Sequence, residues 1–152
     1  MSKARIGRRL RVQVLEDADA RCGYCRSSEE ITGAPLEIEH VMPEALGGPT
    51  RRDNLWPACR QCNVLKSDRI EAHDPATGLL VTLFNPRQQA WRDHFAWIDA
   101  GARISGRTPT GRATVAALKL NRPLLVRARL RWIAAGWHPP DSPESVIDGE
   151  RE

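Results

Sequence analysis

The chain has 152 residues, 41% of them hydrophobic and 28% charged, which is typical of one globular domain or one domain with an appendage. Its apolar runs are far shorter than the ~20 residues of a membrane-spanning helix. No apolar stretch follows the charged N-terminus, so the start of the chain does not resemble a secretory signal. We therefore expect a cytoplasmic protein.

The charge of the chain is distributed unevenly around a formal net value of +4. Residues 1–11 carry five basic side chains, residues 100–140 carry eight, and neither segment contains an acid. The last twelve residues contain five acids. Two basic segments and an acidic end predict a polyanionic partner, with nucleic acid as the first candidate.

Hydrophobic periodicity, together with the positions of glycine and proline, predicts an alternation of short helices and strands. We expect helices at residues 8–20, 60–68, 110–120 and 123–135. We expect strands at residues 35–41 and 79–84, and we interpret residues 91–104 as strands. Loops or turns are expected at residues 43–52 and 74–78. The proline- and acid-rich tail, residues 139–152, is predicted to be disordered.

The four cysteines form two CxxC pairs, Cys22 with Cys25 and Cys59 with Cys62. Two such turns can bring four thiolates to one tetrahedral ion, and Zn²⁺ suits that ligand set best. The 33 residues between the pairs exceed the ~15–20 of a compact zinc ribbon, so the intervening segment must have its own structure. Disulfides and a redox dithiol are the alternatives to this structural zinc site. Arg21 and Arg60, next to the cysteines, would favour the thiolate form.

The segment between the CxxC pairs carries an ordered set of motifs. These are Glu39-His40, Gly47-Gly48, Asn54-Leu55 and, directly after the last cysteine, Asn63 and Lys66. Over residues 20–70 the set resembles the HNH endonuclease family, in the subtype with a four-cysteine zinc site. The resemblance implies an α+β fold with a small ββα-metal (His-Me finger) core.

This resemblance also implies a domain organisation. Residues 1–72 would form the nuclease core, with the N-terminal helix and the zinc knuckles. Residues 73–138 would form a mixed strand and helix extension packed on that core, similar to the extension of many small bacterial HNH proteins.

Each motif residue has a chemical role in phosphodiester hydrolysis. His40 is a histidine inside the segment framed by the cysteines, and an imidazole of near-neutral pKa can accept a proton from water. The resemblance implies that Glu39 and Asn63 bind the catalytic divalent cation and that Asn54 orients His40. In an ideal strand, Glu39 and His40 point to opposite faces, so the strand would have to bend there.

Two motif positions differ from the commonest family pattern, because Glu39 stands where aspartate is frequent and Asn63 where histidine is frequent. Carboxylate and amide oxygens are hard ligands, which favours Mg²⁺ or Mn²⁺ as the catalytic cation. Structural Zn²⁺ and catalytic Mg²⁺ or Mn²⁺ are therefore the expected cofactors.

Basic side chains provide the expected contacts with nucleic acid. In the predicted helix at residues 123–135, the apolar stripe contains Leu124, Leu125, Ala128 and Trp132. The arginines of this helix lie mainly off the stripe, on a face available to phosphates. The expected contacts are Lys66, Arg127, Arg129 and Arg131.

Together, these features predict a metal-dependent endonuclease that hydrolyses double-stranded DNA. A zinc-stabilised nucleic-acid-binding module without catalysis is the alternative, and a dithiol redox protein is a third possibility. The sequence leaves the oligomeric state open.

Overall fold

A computed structural model describes residues 5–140 of the chain. The predicted disordered tail lies outside the described residues, except for Pro139 and Pro140. The helices are α1 (Arg8–Asp17), α2 (Glu29–Thr32), α3 (Arg60–Lys66), α4 (Trp91–His94), α5 (Pro109–Ala117) and α6 (Pro123–Ala134). The strands are β1 (Glu37–His40), β2 (Leu55–Ala58), β3 (Glu71–His73), β4 (Leu80–Thr82), β5 (Phe95–Ile98) and β6 (Arg103–Gly106).

The strands pair in chain order as three antiparallel two-stranded sheets, β1–β2, β3–β4 and β5–β6. Mixed helices and small antiparallel sheets confirm the predicted α+β class. Across residues 5–140, none of the helices is both long and apolar enough to cross a membrane.

The expected helices and the first two expected strands are present, and each is shorter than predicted. Helix α5 begins one residue before its predicted start, at Pro109. Sequence patterning missed β2, whose Pro57 pairs with Ile38 of β1. Proline is tolerated there because both strands of a two-stranded sheet are edge strands. The interpretation of residues 91–104 as strands was wrong at its start, where a helical turn, Trp91–His94, precedes β5.

Strands β1 and β2 and helix α3 form a ββα unit in which the helix follows the second strand after one residue. Glu37 lies opposite Ala58 and His40 lies opposite Leu55 in the β1–β2 pair. The intervening residue, Cys59, caps α3 by accepting a hydrogen bond from the amide of Cys62 at 3.4 Å. The second CxxC pair is thus built into the start of the helix.

One apolar core contains side chains from both halves of the chain. Cys22, Tyr24 and Ala58 lie in it beside Phe84, and its later members are Trp91, Phe95, Ile104, Leu118 and Leu120. Trp91 and Phe95 are 6% and 1% exposed. The division at residue 72 stays a prediction, and the described segments on its two sides are packed together.

Asp17, at the end of α1, joins three segments that are distant in sequence. Its carboxylate accepts two hydrogen bonds from Arg52, at 2.9 and 2.7 Å, and one from Arg87. Arg87 also donates to the carbonyl of Leu55 and lies over the ring of Trp56. The hydrogen bonds from Arg52, followed by the one from Arg87, lower the pKa of Asp17 to about 2.

We expect Asp17→Asn to lower the melting temperature at pH 7 by about 2–4 °C. The pKa of Asp17 is lowered in the folded state, so its contribution is complete above its ordinary value of 3.8 and disappears as the pH falls towards about 2. Melting curves of variant and parent should therefore converge between pH 5 and about 2. Asp19→Asn, at an exposed neighbouring position, is the control and should match the parent throughout. A gap that is independent of pH would contradict this account.

Candidate metal centre and catalytic cleft

The four cysteine sulfurs converge on one point. All four Sγ atoms lie within 4.8 Å of one another, and those of Cys25 and Cys59 are 3.7 Å apart. A tetrahedron with Zn–S bonds of about 2.3 Å has sulfurs about 3.8 Å apart, so the four side chains fit that ion. The cluster therefore suggests a zinc site, as the CxxC spacing predicted.

Backbone amides support the sulfurs in both CxxC turns. In the first turn, the amide of Tyr24 donates to the sulfur of Cys22 at 3.5 Å, and the amide of Arg26 donates to the carbonyl of Cys22. In the second turn, the amide of Cys62 donates to the sulfur of Cys59. Such N–H groups stabilise thiolates, which are the form that binds a metal ion.

Arg21 and Arg60, which lie beside the cysteines in the sequence, donate hydrogen bonds to oxygen atoms. Arg21 donates to the carbonyl of Arg26, and Arg60 donates to Glu37. A distant arginine, Arg122, donates to the sulfurs of Cys59 and Cys62 instead. Nothing in the local sequence pattern indicated Arg122.

A cleft of about 590 Å³ lies between β1, the loop that follows it and α3. The predicted site residues Glu39, His40 and Asn63 all line this cleft. Glu37, Glu44 and Asp68 also line it, so that four carboxylates and an amide surround one space beside the imidazole.

Glu39 is 4% exposed and is held by two side chains. The hydroxyl of Tyr24 donates to its Oε1, and the ammonium of Lys66 lies 3.7 Å from the same atom. Burial, followed by the charge of Glu39, raises the pKa of Tyr24 well above its ordinary value, so the phenol stays protonated and donates. Tyr24 thereby links the first CxxC turn to the cleft.

The expected contact of Lys66 with nucleic acid was wrong. Lys66 is 2% exposed, and its ammonium donates to the carbonyl of Val41 at 3.1 Å. A buried ammonium that is paired with a carboxylate cannot reach a phosphate outside without losing both interactions. Lys66 instead joins α3 to the end of β1.

His40 ends β1 with a side chain that is 8% exposed. Its Nε2 lies 2.8 Å from the hydroxyl of Thr50, and its Nδ1 lies 3.7 Å from Oε1 of Glu44. The ring is therefore held on one side by the loop after β1 and faces, on the other side, a carboxylate that lines the cleft.

Asn54 ties the two ends of the loop after β1. Its side chain accepts from the amide of Met42 at 2.9 Å and donates to the carbonyls of Met42 and Pro49 at 3.0 and 2.9 Å. Gly48 lies against this arrangement, because a Cβ atom there would be 1.7 Å from the carbonyl oxygen of Met42. The Gly-Gly motif thus permits a close approach that no larger residue allows.

Glu37 and Glu44 are cleft residues that sequence reasoning missed. Glu37 accepts hydrogen bonds from the amide nitrogen of Asn63 at 2.8 Å and from Arg60 at 3.0 Å. The strand period of two places Glu37 on the same face as Glu39, and this signal was present in the sequence Glu37-Ile38-Glu39.

The predicted arginine face of α6 is only partly correct. Arg127 and Arg131 are exposed. Arg129 is fully buried, donates to the carbonyls of Ala102 and Leu120 and lies over the ring of Trp97, so its expected contact with DNA was wrong. Burial lowers the pKa of Arg129 to about 10. Leu124, assigned to the apolar stripe, is 74% exposed, so the buried face is rotated from the predicted one.

Comparison with known proteins places the cleft and the cysteine cluster in one domain. Residues 22–69 match the family model described as HNH endonuclease. This segment is an HNH endonuclease domain, and it contains both CxxC pairs, Glu39, His40, Asn54 and Asn63. Comparisons with curated proteins and with solved structures gave no match.

We expect the purified protein to contain about one Zn²⁺ per chain and Cys62→Ser to lose most of it, because three thiolates leave a tetrahedral site incomplete. Elemental analysis of both proteins measures this. Ser105→Ala, in β6, is the control and should retain the parent content. Little bound metal together with reversible disulfides would instead support a dithiol redox protein.

Proposed function

We propose that this chain is a metal-dependent endonuclease that hydrolyses phosphodiester bonds of double-stranded DNA. One observation carries the proposal: within a segment that matches the HNH family, His40, Glu39 and Asn63 line a single cleft. A nucleic-acid-binding module has no need of an imidazole beside a group of oxygen ligands, so the arrangement favours catalysis over binding alone.

In this proposal His40 is the general base. Nε2 of the imidazole lies within hydrogen-bond distance of the Thr50 hydroxyl. In the tautomer that carries its proton on Nε2, that atom would donate to Thr50 and Nδ1 would be the atom that accepts the proton of the attacking water. The carboxylate of Glu44, 3.7 Å from Nδ1, then stabilises the imidazolium that forms. Asn54 has a positioning role, since its three hydrogen bonds hold the loop that carries Thr50 and Glu44.

Oxygen atoms from α3 and from β1 line the cleft and fit a hard divalent cation. The amide nitrogen of Asn63 donates to Glu37, so the amide oxygen is the atom that would bind the ion, together with carboxylate oxygens of Glu39 and Glu37. Bound Mg²⁺ or Mn²⁺ would neutralise phosphate charge and stabilise the leaving oxygen. Tyr24 and Lys66 hold the Glu39 carboxylate in place on the protein side.

Exposed arginines support contact with the DNA backbone. Arg60 lines the cleft and its side chain is 81% exposed, while Arg127 and Arg131 are exposed on α6. Together with the net charge of +4, they favour a phosphate-rich substrate without a dedicated element for reading bases.

Nicking of supercoiled plasmid with Mg²⁺ or Mn²⁺ tests the function. His40→Ala should lower the cleavage rate by about 10²–10⁴-fold, because it removes the general base. His73→Ala, at an exposed histidine of β3, is the control and should cleave like the parent. Equal cleavage by His40→Ala and the parent would refute the catalytic assignment. A parent that binds plasmid without cleaving it would support the binding-module alternative.

Tyr24→Phe tests the positioning role of the Tyr24 hydroxyl. Loss of its hydrogen bond to Glu39 should raise the Mn²⁺ concentration for half-maximal cleavage by about 10-fold, since outer-shell partners typically contribute 10–100-fold to metal affinity. The zinc content should be unchanged, because the cysteines are intact. Thr77→Val removes a hydroxyl in the turn before β4 and should leave the Mn²⁺ requirement as in the parent. An unchanged requirement in Tyr24→Phe would remove Tyr24 from the site.

A further inference from the structure

We propose that Arg122, in the C-terminal half of the chain, is a positioning residue of the zinc site. Its guanidinium donates hydrogen bonds to two of the four metal-binding sulfurs, so that zinc retention depends on the connection between α5 and α6. This inference goes beyond the proposed nuclease function, because it concerns the structural metal and is independent of catalysis.

The contacts of Arg122 form a fork around the second CxxC turn. Its Nη2 lies 3.6 Å from the sulfur of Cys59, and its Nη1 and Nη2 lie 3.8 and 3.9 Å from that of Cys62. The same Nη1 donates to the carbonyls of Leu118 and Lys119, at 3.4 and 3.2 Å. One side chain therefore joins the end of α5 to the sulfurs at the start of α3.

The backbone that carries Arg122 is fixed on several sides. Leu118 and Leu120 are fully buried in the core that also contains the cysteines. Asn121 exchanges two hydrogen bonds with the backbone of Ile104 in β6, at 2.7 and 2.8 Å. The buried Arg129 donates to the carbonyl of Leu120 at 2.8 Å. The guanidinium is thus held in position before any ion is bound.

The guanidinium of Arg122 offsets the negative charge of the zinc-bound sulfurs. Four thiolates around one divalent ion have a summed charge of about −2, and such a charge is costly to bury unless it is paired and hydrogen-bonded. Cys22, Cys25 and Cys62 are buried, with 0–1% exposure. A guanidinium supplies a positive charge and two or more directed N–H donors at once, which a lysine cannot reproduce with the same geometry.

The location of this arginine has a structural consequence. Residues 22–69 form the HNH domain, yet the donor to their sulfurs comes from a residue outside that segment. The helices α5 and α6 therefore contribute to the retention of an ion bound by the HNH domain, and they give the C-terminal segment a role in the zinc site.

The test compares Arg122→Gln, Arg122→Lys and a control, Arg103→Gln, in the full chain. Arg103 belongs to β6 and its side chain is 49% exposed. The apparent zinc affinity is measured by competition with a chromophoric chelator, and the rate of cysteine alkylation by iodoacetamide is measured in parallel. Arg122→Gln should bind Zn²⁺ about 10–100-fold more weakly and react faster with iodoacetamide. Arg122→Lys should be intermediate, and Arg103→Gln should match the parent.

Every outcome of this experiment either supports or overturns the role of Arg122 in zinc binding. A folded Arg122→Gln protein with the zinc affinity of the parent would overturn it, and so would a parent that binds no zinc. If Arg122→Gln does not fold with zinc in excess, Arg122→Lys decides, with weaker binding supporting the proposal and unchanged binding overturning it. Because these readouts do not involve DNA cleavage, their failure is distinguishable from failure of the nuclease assignment.

Discussion

The convergence of four sulfurs is the constraint on which the rest of the site depends. The two CxxC turns are more than thirty residues apart in sequence, yet their four sulfur atoms lie within 4.8 Å of one another. The first turn carries Tyr24, which reaches Glu39, and the second begins α3, which carries Asn63 and Lys66. Both sides of the cleft are therefore positioned by the same cluster, and a metal ion there would stabilise the fold and the catalytic geometry together.

A buried charge network lies beneath the cleft. Glu39 and Lys66 are nearly inaccessible, and burying an isolated charge of either kind would be strongly unfavourable. The ammonium of Lys66 and the hydroxyl of Tyr24 both stabilise the buried carboxylate of Glu39, provided that the three side chains keep their relative positions. In the proposed mechanism, this arrangement fixes the carboxylate before the cation and the DNA bind, which is the preorganisation that catalysis requires.

The segment after the HNH domain is an integral part of the molecule. Phe84, Trp91 and Phe95 complete the core around Tyr24, and the indole of Trp91 donates to the carbonyl of Tyr24 at 3.0 Å. Arg87 binds the end of α1, and Arg122 reaches the sulfurs. The segment thus contributes a hydrogen-bond donor to the cysteine cluster.

Features that depend on a few neighbouring residues could be predicted from the sequence alone. Spacing identified the CxxC turns, periodicity identified the main helices, and the ordered motifs identified three of the cleft residues, Glu39, His40 and Asn63. The sequence did not reveal that Lys66 and Arg129 are buried, that Arg122 reaches the sulfurs, or that Tyr24 holds Glu39. Those facts depend on tertiary contacts between residues up to 63 positions apart in the chain. A lysine or arginine looks the same in the sequence whether its charge meets solvent or a buried partner, and only tertiary packing decides between them.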